Sequence, residues 1–240
     1  MRAIDKPIHR NELIRLVREC IEAEGEDCDL NHIDVSAMTD FRSVFQVQPF
    51  KGDISRWNMS NATSLCRMFQ GSTFNGDISG WDVSKVVNFS DMFSNGKFNG
   101  DVSQWSVGNA ENMSEMFSAS AFEGDVSRWD VSKVQTFEEM FRATKFKGDL
   151  SQWLVSPDAN LRAVLPTSTM AQMPTTVFHW AHASENIEQL TPAQQKHWNE
   201  LSPIAHAMGI EGNALLHWMH AQWSQQPIAQ MQFELPAMEL

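Results

Sequence analysis

An aspartate follows a glycine at five places 24 residues apart: Asp53, Asp77, Asp101, Asp125 and Asp149. Stacked carboxylates repel unless something positive intervenes, so such a column could hold calcium between repeats. Calcium sites gather several oxygen ligands, however, and only Asp with a nearby Ser or Asn is on offer here. The competing reading has each Asp accepting backbone N–H groups of its own turn. The histidines cluster late. His179 and His182 are three apart, as are His217 and His220, which puts each pair on one helical face where zinc could be chelated, with Glu185 completing the first pair. No HExxH sequence accompanies them, and packed or solvated histidines on a Trp-rich helix face are the alternative.

Nucleophilic chemistry finds less support. Cys20 and Cys66 fall on core-like positions, and the chain has neither a GxSxG elbow nor a phosphate-binding loop. With Cys28 the cysteines number three, without metal-ligand or redox spacing; a Cys20–Cys28 bridge and reduced thiols both remain open. Triplets beginning at Asn58, Asn61, Asn88 and Asn112 match the glycosylation pattern formally, as by-products of a repeat. No cofactor is implied.

The 240 residues include 42% hydrophobic residues, enough for a real core, and carry a formal net charge of −12. That charge argues against nucleic acid, whose phosphates need a local Lys/Arg surplus, and equally against an anionic membrane surface. No run approaches the roughly 20 apolar residues of a membrane-spanning helix. The N-terminus lacks the unbroken apolar stretch of a signal peptide, so the expected location is cytoplasmic or reached by a signal-independent route.

The elements that position these residues follow from a repeat. Trp57, Trp81, Trp105, Trp129 and Trp153 stand 24 apart, in phase with Gly52, Gly76, Gly100, Gly124 and Gly148, with a Ser two residues before each Trp, and with two Phe series starting at Phe45 and Phe50. Such phase without insertion marks stacked coils. One coil has too few apolar residues to bury one another; they become a core when coils stack at about 4.8 Å, ladder on ladder. Asp77–Val83 reads as a strand, Phe89–Ser94 as a helical turn, and Gly76 as a turn residue needing positive φ. The invariant Trp is most economically a packing residue.

Positions that vary within the repeat point to the outer face. Before each Trp the residue runs Arg56, Gly80, Gln104, Arg128 and Gln152, and a second column runs Asn61, Lys85, Asn109 and Lys133. These columns are where a protein partner would be read. Leu30–Asp53 looks like a worn first coil with His32 in the Trp place, and Leu13, Ile14, Val17, Cys20 and Ile21 recur at helical spacing, capped by Asn11 and stopped by Gly25. That helix would lid the open end of the stack. After residue 165 the composition changes to Trp, His, Met and Gln cut by prolines, read as about three short helices and a strand-like tail.

The unit FNGDISGWDVSKVVNFSDMF resembles the repeats of the BspA-like leucine-rich-repeat surface-protein family, and the entry segment ELIRLVRECIEAEGEDCDLNHIDVS is similar to that family's lead; the resemblance spans about residues 11–156. It implies a leucine-rich-repeat-like fold used for binding, often at bacterial surfaces in adhesion or immune contact. The expectation is therefore a right-handed α/β repeat solenoid with an N-terminal capping helix (1–29), about five to six coils (30–165) and a small helical C-terminal region (166–240). Its function would be non-enzymatic protein binding; the alternative is a secreted bacterial effector or toxin whose residues 166–240 carry catalytic or metal-binding chemistry.

Overall fold

The structure, a computed structural model, describes residues 5–148, 150, 153, 155–156, 159–160 and 162–164. The chain begins with helix α1 (Arg10–Glu24), whose inward face buries Leu13, Val17 and Cys20 on the first coil. Its N-cap is His9, without a side-chain bond, so Asn11 lies inside the first turn rather than capping it. The Glu12 carboxylate instead reaches back to accept the N–H of Ile8, the residue before the N-cap, at 3.1 Å. Gly25 ends the helix at φ 91, its N–H donating to the Ile21 carbonyl.

From Leu30 onward the chain winds in coils that keep the 24-residue register. Single parallel bridges join Asp40, Ser64, Asn88, Asn112, Thr136 and Asn160, one per coil. Beside each bridge the backbone N–H groups alternate in direction. Those of Phe89, Asp91, Phe93 and Asn95 donate to Asn112, Ser114, Met116 and Ser118 of the next coil, at 2.8–2.9 Å. Those of Met92, Ser94 and Gly96 turn back on carbonyls three residues earlier in their own coil. Left-handed backbone at Asp91 (φ 57) and Asn95 (φ 56) sets up the alternation, and the same positions are left-handed in the neighbouring coils.

This arrangement overturns the α/β, leucine-rich-repeat-like solenoid expected from the sequence. Among the described residues there is one helix, no strand and no sheet. Phe89–Ser94 is no helical turn, because its left-handed residue interrupts the run of right-handed φ/ψ that a helix needs. Asp77–Val83 is no strand, because its N–H groups are spent locally: Ser79 donates to the Asp77 carboxylate and Trp81 to the Ile78 carbonyl. The expected C-terminal helices lie outside the described residues.

The interior is a set of aromatic ladders. Phe45, Phe69, Phe93, Phe117 and Phe141 stack in near-parallel steps of 5.2–5.7 Å between ring centroids, each leaning on the Phe five residues later, as Phe93 does on Phe98 at 4.0 Å. Met68, Met92, Met116 and Met140 fill a fully buried column beside them. The glycines of the FNGD phrase are explained by the same rings. Gly76 is not among the positive-φ residues, but a Cβ there would lie 2.8 Å from the Phe74 ring, and Gly100 and Gly124 meet Phe98 and Phe122 at the same distance. The need is for absence of a side chain, not for a left-handed backbone. In the first coil the Trp column is occupied by buried Ile33, while His32 falls one place earlier, its Nδ1 within 3.0 Å of the Asp29 carbonyl.

Candidate binding surface

Each of the five repeat tryptophans is buried to within a few per cent, and its indole N–H crosses to the preceding coil: Trp57 to the Leu30 carbonyl, Trp81 to Ile54, Trp105 to Ile78, Trp129 to Val102 and Trp153 to Val126, all at 2.8–3.2 Å. The ring fills the core and its one polar atom ties two coils. No aromatic face of this ladder is offered to a ligand.

The aspartates after the glycines are exposed, but their oxygens are occupied. Asp53, Asp77, Asp101 and Asp125 each accept the backbone N–H of the serine two residues on, at 2.8–2.9 Å. Bonds from that backbone and then from the serine hydroxyl hold all four carboxyls below the usual range, which keeps them ionised. Asp149 lies outside the described residues. Two further columns of the same turn escaped the sequence reading. Asp34, Asn58, Asp82 and Asp130 receive the N–H of Ser36, Ser60, Ser84 and Ser132, and Asp40, Asn88 and Asn112 do so two residues before the next bend. The signal was present as D-x-S and N-x-S at most of these places, Asp40 being bonded by Arg42 instead; it reads as an Asx-turn only when the residue two later is recognised as a backbone donor.

The variable columns sort into two kinds. Arg56, Gln104 and Arg128 are exposed, and Gly80 between them has open space where a Cβ would stand. Arg56 also approaches Asp29 at 3.8 Å, a solvent-screened pair. Lys85 and Lys133 are exposed too, yet their ammonium groups are spent along the stack, donating to the Asn61 and Asn109 side-chain oxygens at 2.8 and 2.7 Å. Asn61 and Asn109 in turn donate to the carbonyls of Ser36 and Ser84. This second column is therefore an inter-coil tie whose outward atoms are partly used. Gln152 and the histidines His179, His182, His217 and His220 lie outside the described residues.

A third column, unremarked in the sequence, faces out beside the bridges: Arg67, Asp91, Glu115 and Glu139 at the left-handed positions. Asp91 is contacted by Arg67 at 3.4 Å and by the Gln70 amide at 2.9 Å, and Glu139 by Arg142. Glu115 sits between two acids, and burial, followed by repulsion from Asp91 and Glu139, pushes its carboxyl up. Among the described residues no group of three His, Cys, Asp or Glu is arranged to hold a metal. Cys66 is half-exposed rather than core, and accepts the Ser90 hydroxyl at 3.2 Å; the three cysteines form no disulfide. No helix among the described residues is long and apolar enough to cross a membrane.

These features define a class: a protein of stacked 24-residue coils in which invariant residues build the stack and a few columns vary on its surface. The chain matches, over residues 12–120 and 95–180, the family described as "Mycoplasma protein of unknown function, DUF285", and it belongs to that family. No curated protein and no solved structure matches it.

Proposed function

We propose that the chain is a non-enzymatic protein-binding repeat protein that reads its partner along the column Arg56, Gly80, Gln104 and Arg128. The observation that carries this reading is the contrast within three consecutive positions. Ser55, Ser79, Ser103 and Ser127 are constant and are held by turn aspartates, the tryptophans two residues later are constant and buried, and the residue between them, exposed at 56, 80, 104 and 128, differs from each coil to the next. These side chains lie outside the core, and the contacts they make, Arg56 with Asp29 at 3.8 Å and Gln104 donating to the Ser103 hydroxyl at 3.2 Å, are solvent-exposed ones that a partner can replace. Membership of a repeat family supports the reading, as does the likeness of FNGDISGWDVS to BspA-like surface repeats, which points to adhesion or host contact at a bacterial surface.

The test is comparative capture. The full chain and a variant carrying Arg56→Ser, Gln104→Ser and Arg128→Ser are immobilised in parallel and exposed to the same extract. The variant is expected to keep its melting temperature and to lose the proteins retained by the wild type. Retention of the same proteins by the variant, together with their loss from a chain ending near residue 165, would place binding in the C-terminal segment and end this reading.

A further inference from the structure

We propose that Asn75 and Asn99 are sites of spontaneous deamidation, so that the stack carries a slow covalent modification at the bonds joining neighbouring coils. The chain contains three Asn–Gly pairs, at residues 75–76, 95–96 and 99–100. In such a pair the glycine backbone nitrogen attacks the side-chain carbonyl carbon of the asparagine. A bond forms from that nitrogen to Cγ as its proton passes to solvent, and the Cγ–Nδ2 bond breaks as Nδ2 takes a proton from solvent and departs as ammonia. Water then opens the resulting succinimide to aspartate or isoaspartate, and no oxidant or reductant enters.

The structure separates the three pairs. Asn75 and Asn99 are exposed and their glycines half-exposed, and the Gly76 and Gly100 N–H groups donate to no protein acceptor. Each asparagine also has a donor on the oxygen that gains negative charge as the nitrogen adds: the Asn99 N–H reaches Asn75 Oδ1 at 2.7 Å, and the Glu123 N–H reaches Asn99 Oδ1 at 2.8 Å. A backbone donor fixed at a developing oxyanion lowers the barrier to its formation. Asn95 has none of this. Its glycine is buried, the Gly96 N–H is bonded to the Phe93 carbonyl at 3.1 Å, and the Asn95 oxygen receives no donor.

The products matter to the stack because these side chains are inter-coil ties. Aspartate at 75 would add a charge two residues from Asp77. Isoaspartate would insert a backbone carbon before Gly76, where the Phe74 ring already lies within 2.8 Å of a Cβ position.

The test needs no variant. Trypsin cutting after Arg67, Lys85, Lys97 and Arg128 places Asn75, Asn95 and Asn99 in three different peptides. The folded chain is held in warm neutral buffer and, in parallel, in concentrated urea, and the amide-to-acid mass change is followed in each peptide, with fragmentation assigning the residue. In the folded chain Asn75 and Asn99 are expected to convert about tenfold or more ahead of Asn95, a conservative figure for one positioned donor at an oxyanion. In urea the three rates are expected to converge. Conversion of Asn95 at the pace of the other two in the folded chain, or no conversion of Asn75 and Asn99 there while all three convert in urea, would overturn the proposal.

Discussion

The indole N–H of Trp105 donates to the carbonyl of Ile78, 3.1 Å away in the preceding coil. The same carbonyl also receives the Trp81 N–H from its own coil, so one oxygen joins a turn to a neighbour. A residue chosen for bulk thus also sets register.

Trp105→Phe keeps most of the packing and removes the tie. It is expected to cost about 2 kcal/mol, combining a lost hydrogen bond with a small cavity. Urea unfolding of the two chains measures it; an effect within error of zero would show that the indole bond contributes nothing to the stack.

Two glycines in one coil should respond in opposite ways. Gly100→Ala places a Cβ 2.8 Å from the Phe98 ring and is expected to destabilise by about 1–3 kcal/mol. Gly80→Ala meets nothing within 4 Å and should leave stability unchanged or raise it by about 0.5 kcal/mol through the unfolded chain. Equal effects in thermal unfolding would refute the steric account of the FNGD glycine.

Val47 holds a left-handed backbone, φ 56, with 72% of its surface exposed, at the position where the next coil has Gly71 at φ 65. A β-branched residue there is strained and little packed, so Val47→Gly is expected to stabilise the chain by about 0.5–1 kcal/mol, net of the entropy glycine loses on folding. A lower urea midpoint would contradict this.

Acid should loosen the stack. Asp34, Asp40, Asp53, Asp77, Asp82, Asp101, Asp125 and Asp130 all have folded pKa values below their ordinary 3.8, and Asp34, held by Ser36 and Lys6, is lowered to about 2. Lowered carboxyls stabilise fully above their unfolded value and lose that contribution as pH falls through the folded one. Glu115 has the opposite sign: its raised carboxyl binds a proton more tightly when folded, so its ionisation opposes folding near neutrality. The urea midpoint should therefore drop between about pH 4 and pH 2. Glu115→Gln should raise it at pH 7 and matter less at pH 3. A midpoint flat through the acid range would contradict the Asx-turn account.

The 24-residue period was legible because each coil repeats one solution to one packing problem, and the register of Trp, Phe, Gly and Asp follows from it directly. Local conformation was not legible, for identifiable reasons. Asp91, Glu115 and Ala119 adopt left-handed φ without being glycine, which no propensity argument selects, and that removes the expected helical turn; the expected strand is lost because Ser79 and Trp81 spend their N–H groups within their own turn. Gly76 looked like a conformational glycine because the ring that excludes its side chain belongs to Phe74, two residues away, and only the fold brings them together. Lys85 and Lys133 looked like free surface, and their partners, Asn61 and Asn109, stand in the same column one coil earlier. A column that varies can still be structural when its members alternate as donor and acceptor.

In the function proposed above, constant residues build the stack and a partner reads the order of residues in one exposed column. The most direct measurement exchanges that order alone, placing Arg at 80 and 104 and Gly and Gln at 56 and 128, which preserves composition, net charge and every core residue. The account predicts an unchanged melting temperature and loss of the proteins captured by the wild-type chain. Capture that survives the exchange, with the stack intact, would contradict it.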